Sequence, residues 1–146
     1  MGSVSSTREA KLAQLIQGLA QDGFVHTQRI ADVMQIVDRA QFVTQSTQQA
    51  AYNDRALPIE HNVVISAPHL HAYVMESLET KLRPGAKVLD IGCGSGYLCA
   101  TFYELCKNQA NSMAQIYGIE HVEELCEFSR VNLRKSYSQQ LNDGSI

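Results

Sequence analysis

The sequence predicts an α/β fold with a parallel sheet at its centre. Three observations point there. Val88-Leu89-Asp90-Ile91 is a short apolar run rich in strand formers, of the kind buried in parallel sheets. Gly92-Cys93-Gly94-Ser95-Gly96 follows at once, and a helical segment over 97–107 comes next. Ile116-Tyr117-Gly118-Ile119 then reads as a second strand, ending in Glu120. Glycine has no Cβ, so such a loop turns tightly and lets a ligand approach its backbone. The free N–H groups of the helix start that follows favour negative charge. Strand, loop and helix in this order are the parts of a nucleotide-type cofactor site.

The glycine spacing narrows the choice. A dinucleotide fingerprint reads Gly-x-Gly-x-x-Gly. Here the third glycine comes one residue early, and Tyr97 stands where a glycine would let the helix lie on the strand. Gly-x-Gly-x-Gly after an acid is the pattern of S-adenosylmethionine-dependent methyltransferases. An acid at the carboxyl end of the second strand is where a doubly wound sheet holds a ribose, and Glu120 occupies that place.

Composition sets the limits. The 146 residues suffice for one domain, and 45% hydrophobic with 18% charged residues suits a soluble globular chain. A net charge of −3 and no Lys/Arg run argue against nucleic acid as a partner. No apolar stretch approaches a membrane span, and no signal-like segment opens the chain, so no membrane partner and a cytoplasmic home are expected. The four cysteines, Cys93, Cys99, Cys106 and Cys126, lack Cys-x-x-Cys spacing, which disfavours zinc and a redox motif. No metal is expected. They read as reduced, packed thiols; Cys93 sits in the glycine loop, with nothing beside it in sequence to activate it.

The remaining elements follow in order. Residues 1–6 match a myristoylation signal formally and also read as a flexible leader, which is preferred because one acyl chain without a basic patch anchors weakly. Ser6-Thr7-Arg8-Glu9 can form a capping box, and Leu12, Leu15, Ile16 and Leu19 recur at helical spacing up to Gly23. A second helix is predicted from Thr27, with Ile30, Val33, Met34 and Val37 on one face. These two helices are expected to cover another surface as a lid or flank. From 40 to 62 the period is lost. Val63-Val64-Ile65 is a β-branched run, and Ser66 is expected to cap a helix with Pro68 in its first turn and Leu70, Val74 and Leu78 buried. Pro84-Gly85 is a turn, 109–112 a loop, and Asn142-Asp143-Gly144 another turn after a helix bearing Val122, Leu125, Phe128 and Leu133.

Three segments together resemble one family. Val64-Ile65-Ser66-Ala67-Pro68-His69-Leu70-His71-Ala72, Gly85-Ala86-Lys87-Val88-Leu89-Asp90-Ile91-Gly92 and Gly118-Ile119-Glu120-His121 closely resemble the protein-L-isoaspartate (D-aspartate) O-methyltransferases. The Ile-Ser-Ala-Pro-His segment is the most specific part. Val37-Asp38-Arg39 and Tyr52-x-Asp54 are similar to that family too.

The resemblance implies an incomplete Rossmann-like methyltransferase fold, with N-terminal helices and the first parallel strands. It implies a flexible leader over 1–8 and one partial domain over 9–146. That domain divides into a helical part with the substrate loop (9–82) and the first half of the cofactor sheet (83–146). It implies a protein repair enzyme that moves a methyl group from S-adenosylmethionine to the α-carboxyl of L-isoaspartyl residues in damaged proteins, leaving S-adenosylhomocysteine. The ester then collapses to a succinimide, which can reopen as aspartate.

By the same resemblance, Ser66 is the active-site hydroxyl, and Ile65, Ser66 and Ala67 pass along the cofactor. Gly92, Gly94 and Gly96 approach its methionyl part and Asp90 holds its amino end. Glu120 takes the ribose and His121 lies by the adenine. Of His69 and His71, one is structural and His71 is the weaker cofactor candidate. A capping role for Ser66 stays open beside the catalytic one.

The sequence also departs from the family. Val64 stands where the family has Thr, and Ile59-Glu60 where it has Ile-Gly. The family's third strand, its Gly-Asp-Gly and its later strands are missing. The expectation is therefore a fragment whose sheet edge is exposed, mobile or paired with another copy, with weak cofactor binding and little turnover. Two rivals remain: another Rossmann-type enzyme such as a dehydrogenase, against which Tyr97 speaks, and a non-catalytic interaction module.

Overall fold

The computed structural model describes residues 2–107 and 114–146. Helix α1, Gly2–Gln21, begins ahead of the cap expected at Ser6, so helical backbone runs through the stretch read as a leader. Leu12, Ile16 and Leu19 form its buried stripe. Helix α2, Gln28–Ile36, starts where expected, and Thr27 caps it: its hydroxyl accepts from the Ile30 N–H at 3.3 Å. Ile30, Val33 and Met34 are buried.

The aperiodic stretch is built from short local pieces. Two 3-10 turns, Arg39–Gln41 and Gln45–Ala50, lead to strand β1, Leu57–Pro58. β1 pairs antiparallel with β2, Val64–Ile65, in the register Leu57↔Ile65 and Pro58↔Val64. Turns closed by three-residue hydrogen bonds need no long hydrophobic period, so the sequence shows none.

Helix α3, Pro68–Leu78, corrects two expectations. Its N-cap is Ala67, not Ser66, and no side chain of its own caps it. Asp54, brought in from the loop, accepts instead from the His69 N–H at 2.9 Å. The buried face carries Pro68, His71, Ala72 and Met75, while Leu70 and Leu78 are exposed. The sequence offers two apolar stripes, and packing against α1 and α2 selects the one with the small Ala72. In return Glu76 of α3 accepts from the N–H groups of His26 and Thr27 at 2.7 and 2.8 Å, placing a negative charge at the start of α2.

Strand β3, Lys87–Ile91, and strand β4, Gln115–Ile119, pair in parallel from Lys87↔Gln115 to Ile91↔Ile119. Helix α4, Tyr97–Cys106, joins them and packs on one face of the sheet. Helix α5, Glu123–Asp143, packs against α4, with Leu125, Leu133 and Tyr137 buried. The other face is open: Leu89, Ile91, Tyr117 and Ile119 are 55%, 76%, 50% and 50% exposed. β3 is thus not the fully buried strand its composition suggests, because helices cover it from one side only among the described residues. The loop expected over 109–112 lies outside those residues. After Gly144 the chain returns to the sheet, and the Ser145 carbonyl accepts from the Ile116 N–H at 2.9 Å on the edge of β4 away from β3.

The two N-terminal helices act as the expected flank, with α2 lying on α4. Arg29 of α2 is the principal tie. Its guanidinium donates to the Glu79 carboxylate at 3.0 Å, to the Leu82 carbonyl and to the Leu105 carbonyl at 2.5 Å. A cation is favourable at such helix carboxyl ends. Replacing Arg29 with Ala should lower the unfolding free energy by about 2 kcal/mol, with Lys recovering part, since two part-buried carbonyls lose a charged donor. Urea denaturation reads this directly; variants matching the parent would show that water serves those carbonyls equally well.

Candidate functional site

The glycine loop is held from below by the end of β4. The N–H groups of Gly92 and Cys93 both donate to the Ile119 carbonyl, at 2.8 and 3.1 Å. Gly92 and Gly94 have φ of 81° and 52°, in the left-handed region. A Cβ on Gly92 would meet nothing within 4 Å, and one on Gly94 only Gly92 O and Ile59 Cδ1, at 3.9 and 4.0 Å. The loop therefore presents bare backbone to open space. Gly96 has another reason for its identity: a Cβ there would stand 3.3 Å from Leu133 and Ser129 of α5. Its small size serves helix packing. Asn132 of α5 adds a bond to the Ser95 carbonyl at 3.1 Å.

Glu120 closes the site from the neighbouring strand. One carboxylate oxygen accepts from the Gly94 N–H at 3.2 Å, and the other from the N–H groups of His121 and Val122 at 2.8 and 3.3 Å. The side chain is only 5% exposed. Burial pushes its carboxyl up, but the bonds from Val122, Gly94 and His121 and the nearby imidazole outweigh that, leaving it below the usual carboxylate range. His121 is 91% exposed, with Nδ1 2.9 Å from Glu120. Asp90 turns toward α4 and accepts from the Cys99 thiol at 3.8 Å. Burial raises its pKa; the Cys99 bond opposes this and the charge of Glu120 adds to it.

The hairpin lies against the loop, since Ile59 reaches Gly94. β2 then runs into Ser66, which is half-buried between buried Ile65 and Ala67. Relieved of capping by Asp54, the Ser66 hydroxyl makes no hydrogen bond among the described residues. The structure thus brings Gly94 and Glu120 into direct contact, holds Gly92 on Ile119 next to them, and lays Ile59 of the hairpin against the loop, with Ile65–Ala67 following at the hairpin's end. His71 is not presented to the open loop. It is buried, stacked on Tyr97 with ring centroids 4.6 Å apart, with Nδ1 3.4 Å from Arg39. Burial, then the charge of Arg39, pushes its pKa down to about 3. His69 is engaged too, with Nδ1 2.9 Å from Asp54.

Sequence reasoning assigned no role to Arg39. It is fully buried, and burial lowers its pKa to about 10. Its guanidinium donates to the Arg55 carbonyl at 3.2 Å and meets His71, which in turn stacks on Tyr97 at the start of α4. The signal was the Asp38-Arg39 pair, but a charged residue in a polar loop carries no pattern that announces burial.

A parallel strand pair with an open glycine loop, faced by an acid from the second strand, defines a Rossmann-like cofactor-binding domain. A model of the family "Protein-L-isoaspartate(D-aspartate) O-methyltransferase (PCMT)" matches residues 10–144, and the chain belongs to that family. It is 41% identical over 133 residues to a protein-L-isoaspartate O-methyltransferase of Triticum aestivum, covering 90% of this chain and 55% of that one. It is 37% identical over 134 residues to one of Caenorhabditis elegans, covering 92% and 56%. A Plasmodium falciparum structure described as such a methyltransferase, in complex with S-adenosyl-L-homocysteine, superposes with a TM-score of 0.81 at 30% identity, over 90% of this chain and 58% of that one. The fold is the Rossmann-like methyltransferase fold in incomplete form. The chain spans about half the length of the curated relatives it matches.

Two outcomes follow from this geometry. Gly92→Ala and Gly96→Ala both strain a left-handed backbone, but only the second meets α5. Gly96→Ala should therefore cost about 1–2 kcal/mol more in a denaturation series; equal losses would remove the packing role. The second outcome concerns His71. Above pH 6.5 its imidazole is neutral whether the chain is folded or not. As pH falls below that, the unfolded chain takes up a proton that the folded one, with a pKa of about 3, refuses. Stability should drop by about 1 kcal/mol between pH 7.5 and 5.5 from this group alone. A His71→Gln variant should lose that part of the slope, measured by denaturation at both pH values.

Proposed function

We propose that this chain is part of a repair methyltransferase that holds S-adenosylmethionine at its methionyl and ribose ends and offers Ser66 to an isoaspartyl substrate. The complete enzyme would transfer a methyl group to the α-carboxyl of L-isoaspartyl residues in damaged proteins, with S-adenosylhomocysteine as product. The observation that carries this is the Glu120 carboxylate lying against the Gly94 N–H, at 3.2 Å. It puts an ionised acid beside an open glycine cradle, the two halves of a grip on a nucleoside-containing amino acid.

The residues fit that group. A Cβ at Gly92 would project into free space that a methionyl chain can fill. The oxygens of Glu120 now accept from three backbone N–H groups and can accept from ribose hydroxyls at the same place. Asp90 beneath the loop would receive the amino end, and exposed His121 would border the adenine. When bound, the cofactor supplies an electrophilic sulfonium methyl. The substrate carboxylate is ionised at neutral pH, so no strong general base is required. Ser66 can donate its unengaged hydroxyl to one carboxylate oxygen and orient the other. Catalysis is then mainly a matter of holding oxygen, carbon and sulfur in line. Exposed Val64 leaves the edge of the site without a hydroxyl. The four cysteines are all free thiols, which suits a cytoplasmic setting. Among the described residues no helix is long and apolar enough to cross a membrane.

A second reading rests on the open sheet face of Leu89, Ile91, Tyr117 and Ile119. On this reading the chain is an interaction module that packs this apolar face against a second copy.

Radiolabelled methyl transfer to an isoaspartyl peptide separates the two, run on this chain and on a version extended to the length of its relatives. The extended version should transfer, and Ser66→Ala in it should lower kcat about 10–100-fold with S-adenosylhomocysteine affinity little changed. No transfer by the extended version would refute the enzyme reading. A dimer of the 146-residue chain in sedimentation, lost on Ile91→Glu, would support the second.

A further inference from the structure

Three of the four cysteines line one cavity of about 160 Å³ under the glycine loop. Cys93 comes from the loop, Cys99 from the first turn of α4 and Cys126 from α5. Cys93 and Cys99 are the intimate pair. A Cβ on Gly118 of β4 would stand 2.8 Å from the Cys99 sulfur and 3.1 Å from the Cys93 sulfur. Both thiols therefore press on the same bare patch of strand, with no side chain between them. Cys99 donates its proton to Asp90 at 3.8 Å. Cys106, the fourth, lies at the far end of α4 and outside this cavity.

We propose that Cys93 and Cys99 form a peroxide-sensitive thiol pair that closes into a disulfide beneath the glycine loop. The roles within the pair differ. The neighbouring Cys99 thiol holds the Cys93 thiol below its ordinary value, against burial and the carboxylates of Asp90 and Glu120. The same contact, with burial, pushes Cys99 up. Cys93 is the half-exposed member and supplies the thiolate, while buried Cys99 keeps its proton.

The chemistry balances with hydrogen peroxide as oxidant. The Cys93 thiolate attacks one peroxide oxygen, the O–O bond breaks, and the departing hydroxide takes a proton to become water. Cys93 is then a sulfenic acid. The Cys99 sulfur attacks it, an S–S bond forms, the S–O bond breaks, and the oxygen leaves as a second water with the proton of Cys99. Two thiols lose two electrons and two hydrogens, and peroxide is reduced to two waters. The bond would tie the loop to α4 and remove the donor that Cys99 offers Asp90. Any effect on donor binding rests on the function proposed above; the disulfide itself does not.

The test needs no cofactor. The chain is exposed to a few equivalents of hydrogen peroxide, unfolded and blocked with N-ethylmaleimide in denaturant, which opens the buried Cys106, and digested with trypsin. Residues 88–107, which carry Cys93, Cys99 and Cys106, leave in one peptide. The expected product has lost two hydrogens and carries maleimide on Cys106 alone, with Cys93 oxidised at least tenfold faster than Cys106 or Cys126. A Cys106→Ser variant should behave identically. Cys99→Ser, or Cys99→Ala if Ser disturbs the fold, should stop at a dimedone-reactive sulfenic acid on Cys93. A disulfide that involves Cys106 or Cys126, or a Cys93 that oxidises no faster than those two, would overturn the proposal. Because the readout is covalent, it can succeed or fail independently of methyl transfer.

Discussion

The site depends on how the carboxyl end of β4 holds the loop that follows β3. The Ile119 carbonyl takes the N–H groups of Gly92 and Cys93, and the Glu120 carboxylate takes that of Gly94. Consecutive donors of a left-handed turn are thus satisfied by two adjacent residues of the neighbouring strand. An unpaired N–H in such a turn would be costly, and a loop without this support would sample many shapes. The same contact keeps Glu120 ionised although it is almost fully covered. A carboxylate poised in this way can exchange backbone partners for ligand hydroxyls without a change of charge.

A second constraint joins the N-terminal part to the sheet. Arg39 is buried without a carboxylate in hydrogen-bond contact, held by the Arg55 carbonyl and the His71 imidazole. Burying a cation is expensive, and it persists here because one side chain links the loop at Arg55, α3 and, through the stacked rings of His71 and Tyr97, the start of α4. Burial first, and then the guanidinium beside it, keep the imidazole neutral. Ser66 sits where the hairpin meets α3, so its position follows from this cluster. Asp54 contributes by capping α3 from a distance, which leaves the Ser66 hydroxyl unspent.

The sheet itself is covered on one side. α4 packs on the Val88 and Ile116 face with α5 against it, and four apolar side chains stand open on the other. A two-stranded parallel sheet has little to bury by itself. The N-terminal helices supply much of the core by wrapping α4, with Arg29 fastening the helix ends. The edge of β4 is partly occupied by the Ser145 carbonyl, which blunts the exposed edge that the strand pattern suggested.

β3, the glycine loop, α4, β4 and the place of Glu120 were all legible in the sequence. Each is announced by neighbours a few residues away: an apolar run, alternate glycines, a helical period, an acid at a strand end. The first two helices, the second from Thr27 on, were legible for the same reason. Other features were decided only by tertiary structure: the buried face of α3, the loss of the capping role by Ser66, the burial of His71 and Arg39, the packing role of Gly96 and the meeting of Cys93 with Cys99 over Gly118. Each of these depends on which distant side chain arrives, and short-range pattern carries no record of that.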